Sequence, residues 1–67
     1  MNILLNGHLK KFDLNQMTIA LLVQVLDLKG KRIAIEHNGD IVPRSQYALV
    51  NVNDGDSLEI VGAVGGG

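Results

Sequence analysis

The sequence contains no cysteine and no tryptophan, and only one phenylalanine, one tyrosine and one proline. Without cysteine there is no disulfide staple, no zinc ribbon and no thiol nucleophile. Neither sign of charge prevails. Six Lys and Arg stand against seven Asp and Glu, a net charge of -1, which argues against a protein whose main work is binding a phosphate backbone. No run of ~18 apolar residues is present, so no membrane-spanning helix is expected. The N-terminus lacks a basic stretch followed by an apolar one. No secretory signal is therefore expected, and a cytoplasmic location is predicted.

What the chain does have is apolar residues. They make up 46% of the composition, too many for intrinsic disorder. Its 67 residues form one small domain, which buries only about 60% of the surface of its unfolded chain. Such a domain cannot build a core and also enclose a ligand pocket of several hundred cubic ångströms. A binding module or carrier is favoured over an enzyme.

The chain opens with a short strand over residues 1–6. Asn6-Gly7 is a turn signal, because both residues tolerate positive φ, and residues 9–13 read as the return strand. A two-residue loop would set Lys10 opposite Ile3. A three-residue loop would set Leu9 opposite Leu5, and this apolar pairing is preferred. Thr18 can cap a helix over residues 19–28, apolar except for Gln24 and Asp27, with Gly30 as its terminator. Residues 32–37 alternate, with Ile33 and Ile35 on one face. Asn38-Gly39 makes a second hairpin turn and pairs Ile35 with Val42. Pro43 makes the following strand short or places it at an edge. Residues 45–47 read as one helical turn, and Leu49, Val50 and Val52 as another short strand or extended segment. Asp54-Gly55-Asp56 is a third turn. The last strand runs over residues 57–62, with Leu58 and Ile60 in the core and Val61 on the open face. The order β-β-α-β-β-β implies an α+β domain with one helix laid on a mixed sheet of four to five strands. The domain is assigned to residues 1–64 and a flexible glycine tail to 65–67.

That tail, Gly65-Gly66-Gly67, is the informative motif. With Gly at about 7% of residues, a given triplet is all Gly about three times in ten thousand by chance. A flexible terminus or an engineered linker would be the plain explanations. The chemistry offers another. Glycine has no Cβ, so the segment fits a channel too narrow for other residues. Val64, Gly65, Gly66 and Gly67 extended would reach ~13 Å beyond the fold. A terminal carboxylate is ionised at neutral pH and can attack the α-phosphorus of ATP in a partner's active site. The product, an acyl-adenylate at Gly67, is then open to a sulfur or nitrogen nucleophile.

The chain resembles the ThiS family, the sulfur carriers of thiamine thiazole synthesis. The resemblance rests on Asn2-Ile3-Leu4-Leu5-Asn6-Gly7, on Glu36-His37-Asn38-Gly39-Asp40-Ile41-Val42-Pro43-Arg44, on Asp54-Gly55-Asp56, and on Val64-Gly65-Gly66-Gly67. It covers essentially the whole chain. The terminal diglycine, here Gly66 and Gly67, is shared by all ubiquitin-like carriers, whereas the combination of these motifs is more specific. The resemblance implies a β-grasp, ubiquitin-like fold and a cycle run by other proteins. A ThiF-type adenylyltransferase, using ATP and magnesium, adenylates the terminal carboxylate. Sulfur from a donor such as a cysteine desulfurase makes the thiocarboxylate. Thiazole synthase (ThiG) takes the sulfur into the ring. The carrier would bind no cofactor itself and would be a monomer alone. By analogy with ubiquitin-like carriers, the open sheet face near the tail, with Val61 and Ala63, is the expected docking surface. The rival readings are a related carrier for molybdopterin or cysteine synthesis, a conjugating modifier, and an interaction module with an inert tail.

The remaining residues read more plainly. Gly62, Gly65 and Gly67 do not make a phosphate loop, because no helix follows them. His8 and His37 are far apart, lack a third metal partner, and are expected at solvated turn edges. Asp54 and Asp56 lack the calcium-loop pattern. Lys29, Lys31 and Arg32 read as a solvated face. No base accompanies Thr18, Ser45 or Ser57 for hydrolytic chemistry.

Overall fold

The computed structural model describes residues 1–62. Ala63, Val64, Gly65, Gly66 and Gly67, and with them the boundary between domain and tail, lie outside the described residues. The first strand, β1, spans Asn2–Leu5 and the second, β2, spans His8–Lys11. Asn6 and Gly7 join them at φ 51° and 80°, the pair of left-handed residues that a two-residue type I′ turn requires. The register is therefore Ile3 with Lys10, Leu4 with Leu9 and Leu5 with His8. This corrects the expected pairing of Leu9 with Leu5. The turn sets the register, and β2 has no core to fill: all four of its residues are exposed.

A two-residue strand, β3, at Met17–Thr18 leads directly into the helix α1, Ile19–Val25. Thr18 is the N-cap, its hydroxyl accepting from the Leu21 N–H at 3.1 Å. The helix buries Ile19, Leu22 and Val23. It stops three residues short of the expected end. Asp27 takes φ 59°, its N–H bonds the Gln24 carbonyl, and the Leu28 N–H bonds the Val23 carbonyl. This is the Schellman ending with Asp at the left-handed position. Leu28 then packs against the core, so Gly30 belongs to the next turn and not to the helix end.

Strand β4 (Ile33–His37) and strand β5 (Asp40–Val42) form the second hairpin, with Ile35 opposite Val42 as expected. After Pro43 comes a 3₁₀ turn, Arg44–Gln46, and a short strand β6, Asn51–Val52, which pairs with β3. The last strand, β7, spans Ser57–Gly62. It lies in the middle of a five-stranded sheet of order β2-β1-β7-β4-β5, parallel to β1 and antiparallel to β4. Pro43 thus follows an edge strand. The helix covers one face, where Ile3, Ile19, Leu22, Ile35 and Leu58 are fully buried. This is the β-grasp arrangement. Of the β3–β6 pair, β6 falls in the segment read as a short strand or extended stretch, whereas β3 and the pairing escaped the sequence reading because a two-residue strand carries no period of its own.

A polar cluster anchors the start of β7. The Asn38 Oδ1 accepts from the Ser57 N–H at 2.8 Å, and the Asn38 Nδ2 donates to Asp56 Oδ1 at 3.2 Å. His37 is not solvated at a turn edge. It is half-buried, and its Nε2 donates to Asp56 Oδ2 at 2.6 Å. Asp56 also accepts from the Asn53 N–H at 2.8 Å. Partial burial alone would raise the Asp56 carboxyl. The Asn53 N–H, the His37 and Asn38 side chains and the charge of His37 outweigh it, and hold the group below its ordinary 3.8. The unfolded carboxyl therefore takes up a proton before the native one does. The stability this group contributes is complete above the ordinary carboxylate range and is lost as the pH falls through the native pKa. Replacing Asp56 by Asn should lower stability at neutral pH by about 1–2 kcal/mol. It should also reduce the loss of stability on acidification below pH ~4. Urea unfolding of both proteins at neutral and acid pH measures this, and equal acid losses would contradict it.

Candidate functional site

Alternation along β7 puts Leu58 and Ile60 under the helix and Ser57, Glu59 and Val61 on the opposite, uncovered face. The registers carry that face across the sheet: Leu4 lies beside Ser57 and Leu9, Ala34 beside Val61, and Glu36 beside Glu59 and Ile41. Its apolar members are left in solvent. Leu9 is 72%, Ile41 66%, Val61 59% and Leu4 42% exposed. They share one face, with Ser57, Glu59 and Glu36 between them, and make it the candidate interaction surface. Val61 stands where it was expected, on the open face one residue before Gly62. Ala63, the other expected docking residue, is outside the described residues, as are the tail residues Val64, Gly65, Gly66 and Gly67.

Sequence reasoning missed Leu4, Leu9 and Ile41. The run Ile3-Leu4-Leu5 hides the alternation, and the face of Leu9 and of Leu4 beside it depends on the loop register. It also missed an acidic pair. Glu36 and Glu59 are directly opposed on neighbouring strands, an arrangement that repels. With Gly39 and Ser57 they line a shallow depression in the open face. The residue types alone gave no sign of this, because the pairing joins positions far apart in the chain.

On the covered side, a groove runs between the end of the helix and the ends of β1, β4 and β7. It is lined by Leu5, Leu26, Leu28, Ile33 and Ile60, and reaches Gly62. Lys29, Lys31 and Arg32 are exposed as expected, and Arg44 Nη2 donates to the Lys31 carbonyl at 3.2 Å. His8 is exposed, and the strands β1 and β7 separate it from His37 in the sheet. Among the described residues, no three His, Asp or Glu side chains gather to hold a metal. No helix among them is long and apolar enough to cross a membrane. Asp54 is a turn residue whose Oδ1 accepts from the Asn2 N–H. Among the described residues, the open face and the groove are the surfaces available to another protein.

The model of the ThiS family matches residues 3–67. Over its 67 residues the chain is 45% identical to a thiazole synthase of Paramagnetospirillum magneticum, of whose length it spans 20%. It is 36% identical over 63 residues to the sulfur carrier protein ThiS of Bacillus subtilis, covering 94% of this chain and 96% of that one. The crystal structure of the thiamine biosynthesis protein ThiS from Geobacter metallireducens superposes with a TM-score of 0.88 at 28% identity, over the full length of both chains.

The opposed carboxylates generate a prediction about stability alone. Glu59→Lys, which turns repulsion by Glu36 into attraction, should raise stability by roughly 0.5 kcal/mol at low salt. The gain should shrink at high ionic strength. A variant no more stable than the natural protein at low salt would contradict the reading of the pair.

Proposed function

The chain belongs to the ThiS family of thiamine-biosynthesis sulfur carriers, and on that premise we propose that it carries sulfur as a thiocarboxylate on Gly67. The chain would be the protein-bound substrate of other enzymes. A ThiF-type adenylyltransferase docks on the open face around Val61, with Ala63 as a further contact, and takes Val64, Gly65, Gly66 and Gly67 into its active site. A Gly67 carboxylate oxygen attacks the α-phosphorus of ATP and pyrophosphate leaves, with magnesium serving the enzyme. Sulfide-level sulfur, released from a cysteine desulfurase persulfide by two electrons from a thiol reductant or supplied by an equivalent donor, then adds at the Gly67 carbonyl carbon. AMP departs with the oxygen of the former P–O–C bridge, leaving the thiocarboxylate. Thiazole synthase receives the sulfur. The carboxylate must be free for this, so a polypeptide continuing past Gly67 would first need cleavage after that residue. The use of ATP implies a cytoplasmic site of action.

Support for the reading is specific at one point: the family match extends through the glycine run to residue 67. Support for thiazole synthase as the acceptor comes from the relative in which a segment like this chain makes up a fifth of a thiazole synthase. That relative favours the thiamine branch over molybdopterin or cysteine synthesis. The exposed apolar face around Leu4, Leu9, Val61 and Ile41 supports a protein partner.

ATP–pyrophosphate exchange by a ThiF-type adenylyltransferase tests the first step. The chain should stimulate exchange, and deleting Gly66 and Gly67 should abolish the effect. Stimulation that survives the deletion would overturn the assignment of Gly67. Val61→Asp should remain folded, since the side chain already faces water, yet weaken binding to the enzyme about tenfold or more. Normal binding by the folded variant would remove the open face from the account.

A further inference from the structure

Strand β1 accompanies β7 for only two residue pairs, Leu4 with Ser57 and Leu5 with Leu58. Beyond Leu5 the backbone turns away through Asn6 and Gly7. Alternate residues of a strand direct their N–H and C=O groups to the same side. The Leu58 carbonyl accepts from the Asn6 N–H at 2.9 Å, so Ile60 also directs its backbone groups toward β1, where the main chain has already left. The Asn6 side chain fills the gap. Its Oδ1 accepts from the Ile60 N–H at 2.7 Å, and its Nδ2 donates to the Ile60 carbonyl at 3.1 Å.

A side-chain amide carries the same donor and acceptor as a peptide group. Asn6 thus supplies β7 with the rung that the turn takes away, two residues before Gly62. The position also needs a left-handed backbone, φ 51°, which Asn tolerates. Gly would meet the backbone demand and lose the clamp. Asp would keep the acceptor and lose the donor. Gln is a methylene too long.

We infer that Asn6 is a positioning residue: its amide fixes the end of β7 and so sets where the chain beyond Gly62 is launched toward a partner. The link to transfer rests on the carrier reading above, whereas the clamp itself does not.

The test uses Asn6→Gly, which keeps the turn, with Thr18→Ala as a control that loses a helix cap without touching β7. Amide hydrogen exchange at Ile60 should quicken roughly tenfold in Asn6→Gly relative to Thr18→Ala. With a ThiF-type adenylyltransferase, kcat should fall roughly tenfold while KM holds, because docking is intact and only the presentation of the carboxyl changes. Thr18→Ala should keep both constants. Unchanged Ile60 exchange would overturn the clamp. Faster exchange with unchanged kcat would overturn its role in launching the tail. A natural chain that is never adenylated would defeat the carrier reading, and the exchange measurement would still decide the clamp. Should Asn6→Gly fail to fold, Asn6→Asp, which keeps the bond from the Ile60 N–H and loses the one to its carbonyl, is read through kcat: a smaller fall with KM held is expected, and an unchanged kcat would overturn the role in launching the tail.

Discussion

The central placement of β7 is the constraint on which the rest of the structure depends. The last six described residues fill the middle of the sheet, parallel to the first strand and antiparallel to β4. Without them β1–β2 and β4–β5 are two separate hairpins, which would be marginal in water. Leu58 is fully buried among Ile3, Leu22 and Ile35, a burial that stabilises by roughly 2 kcal/mol.

The two Asn-Gly turns serve that strand as well as their own hairpins. Asn38 accepts from Ser57 at the start of β7, and Asn6 brackets Ile60 near its end. Both asparagines stand at left-handed φ, and both spend their side chains on the same neighbour. His37 and Asp56 add a charge-assisted bond beside the first of these contacts. Local turn chemistry and long-range sheet assembly therefore use the same few residues.

Much of this was legible in the sequence. The Asn-Gly pairs located both hairpins, Thr18 marked the helix start, and alternation placed Leu58, Ile60 and Val61 on the correct faces. The errors have separate causes. The first hairpin register was read from apolar pairing, whereas turn geometry decided it at an edge with no core. The helix end was assigned to Gly30 because Gly is the common terminator, while Asp27 took the left-handed position. His37 and the Glu36–Glu59 pair depend on which strands become neighbours, and no local pattern encodes that. Of the candidate site, Val61 was placed correctly on the open face. The motifs and the chemistry of the glycine run, not the described residues, carry the assignment of Gly67.

The proposed carrier role gives the open face, with Leu4, Leu9, Ile41 and Val61 left in solvent, a use in docking. The central claim is that sulfur resides on the Gly67 carboxyl. Intact-mass spectrometry, with fragmentation, after incubation with a ThiF-type adenylyltransferase, ATP and a sulfide source tests it most directly. The account predicts a gain equal to the replacement of one oxygen by sulfur, localised to Gly67. No gain with an enzyme shown to be active on a known carrier, or a gain localised elsewhere in the chain, would contradict it.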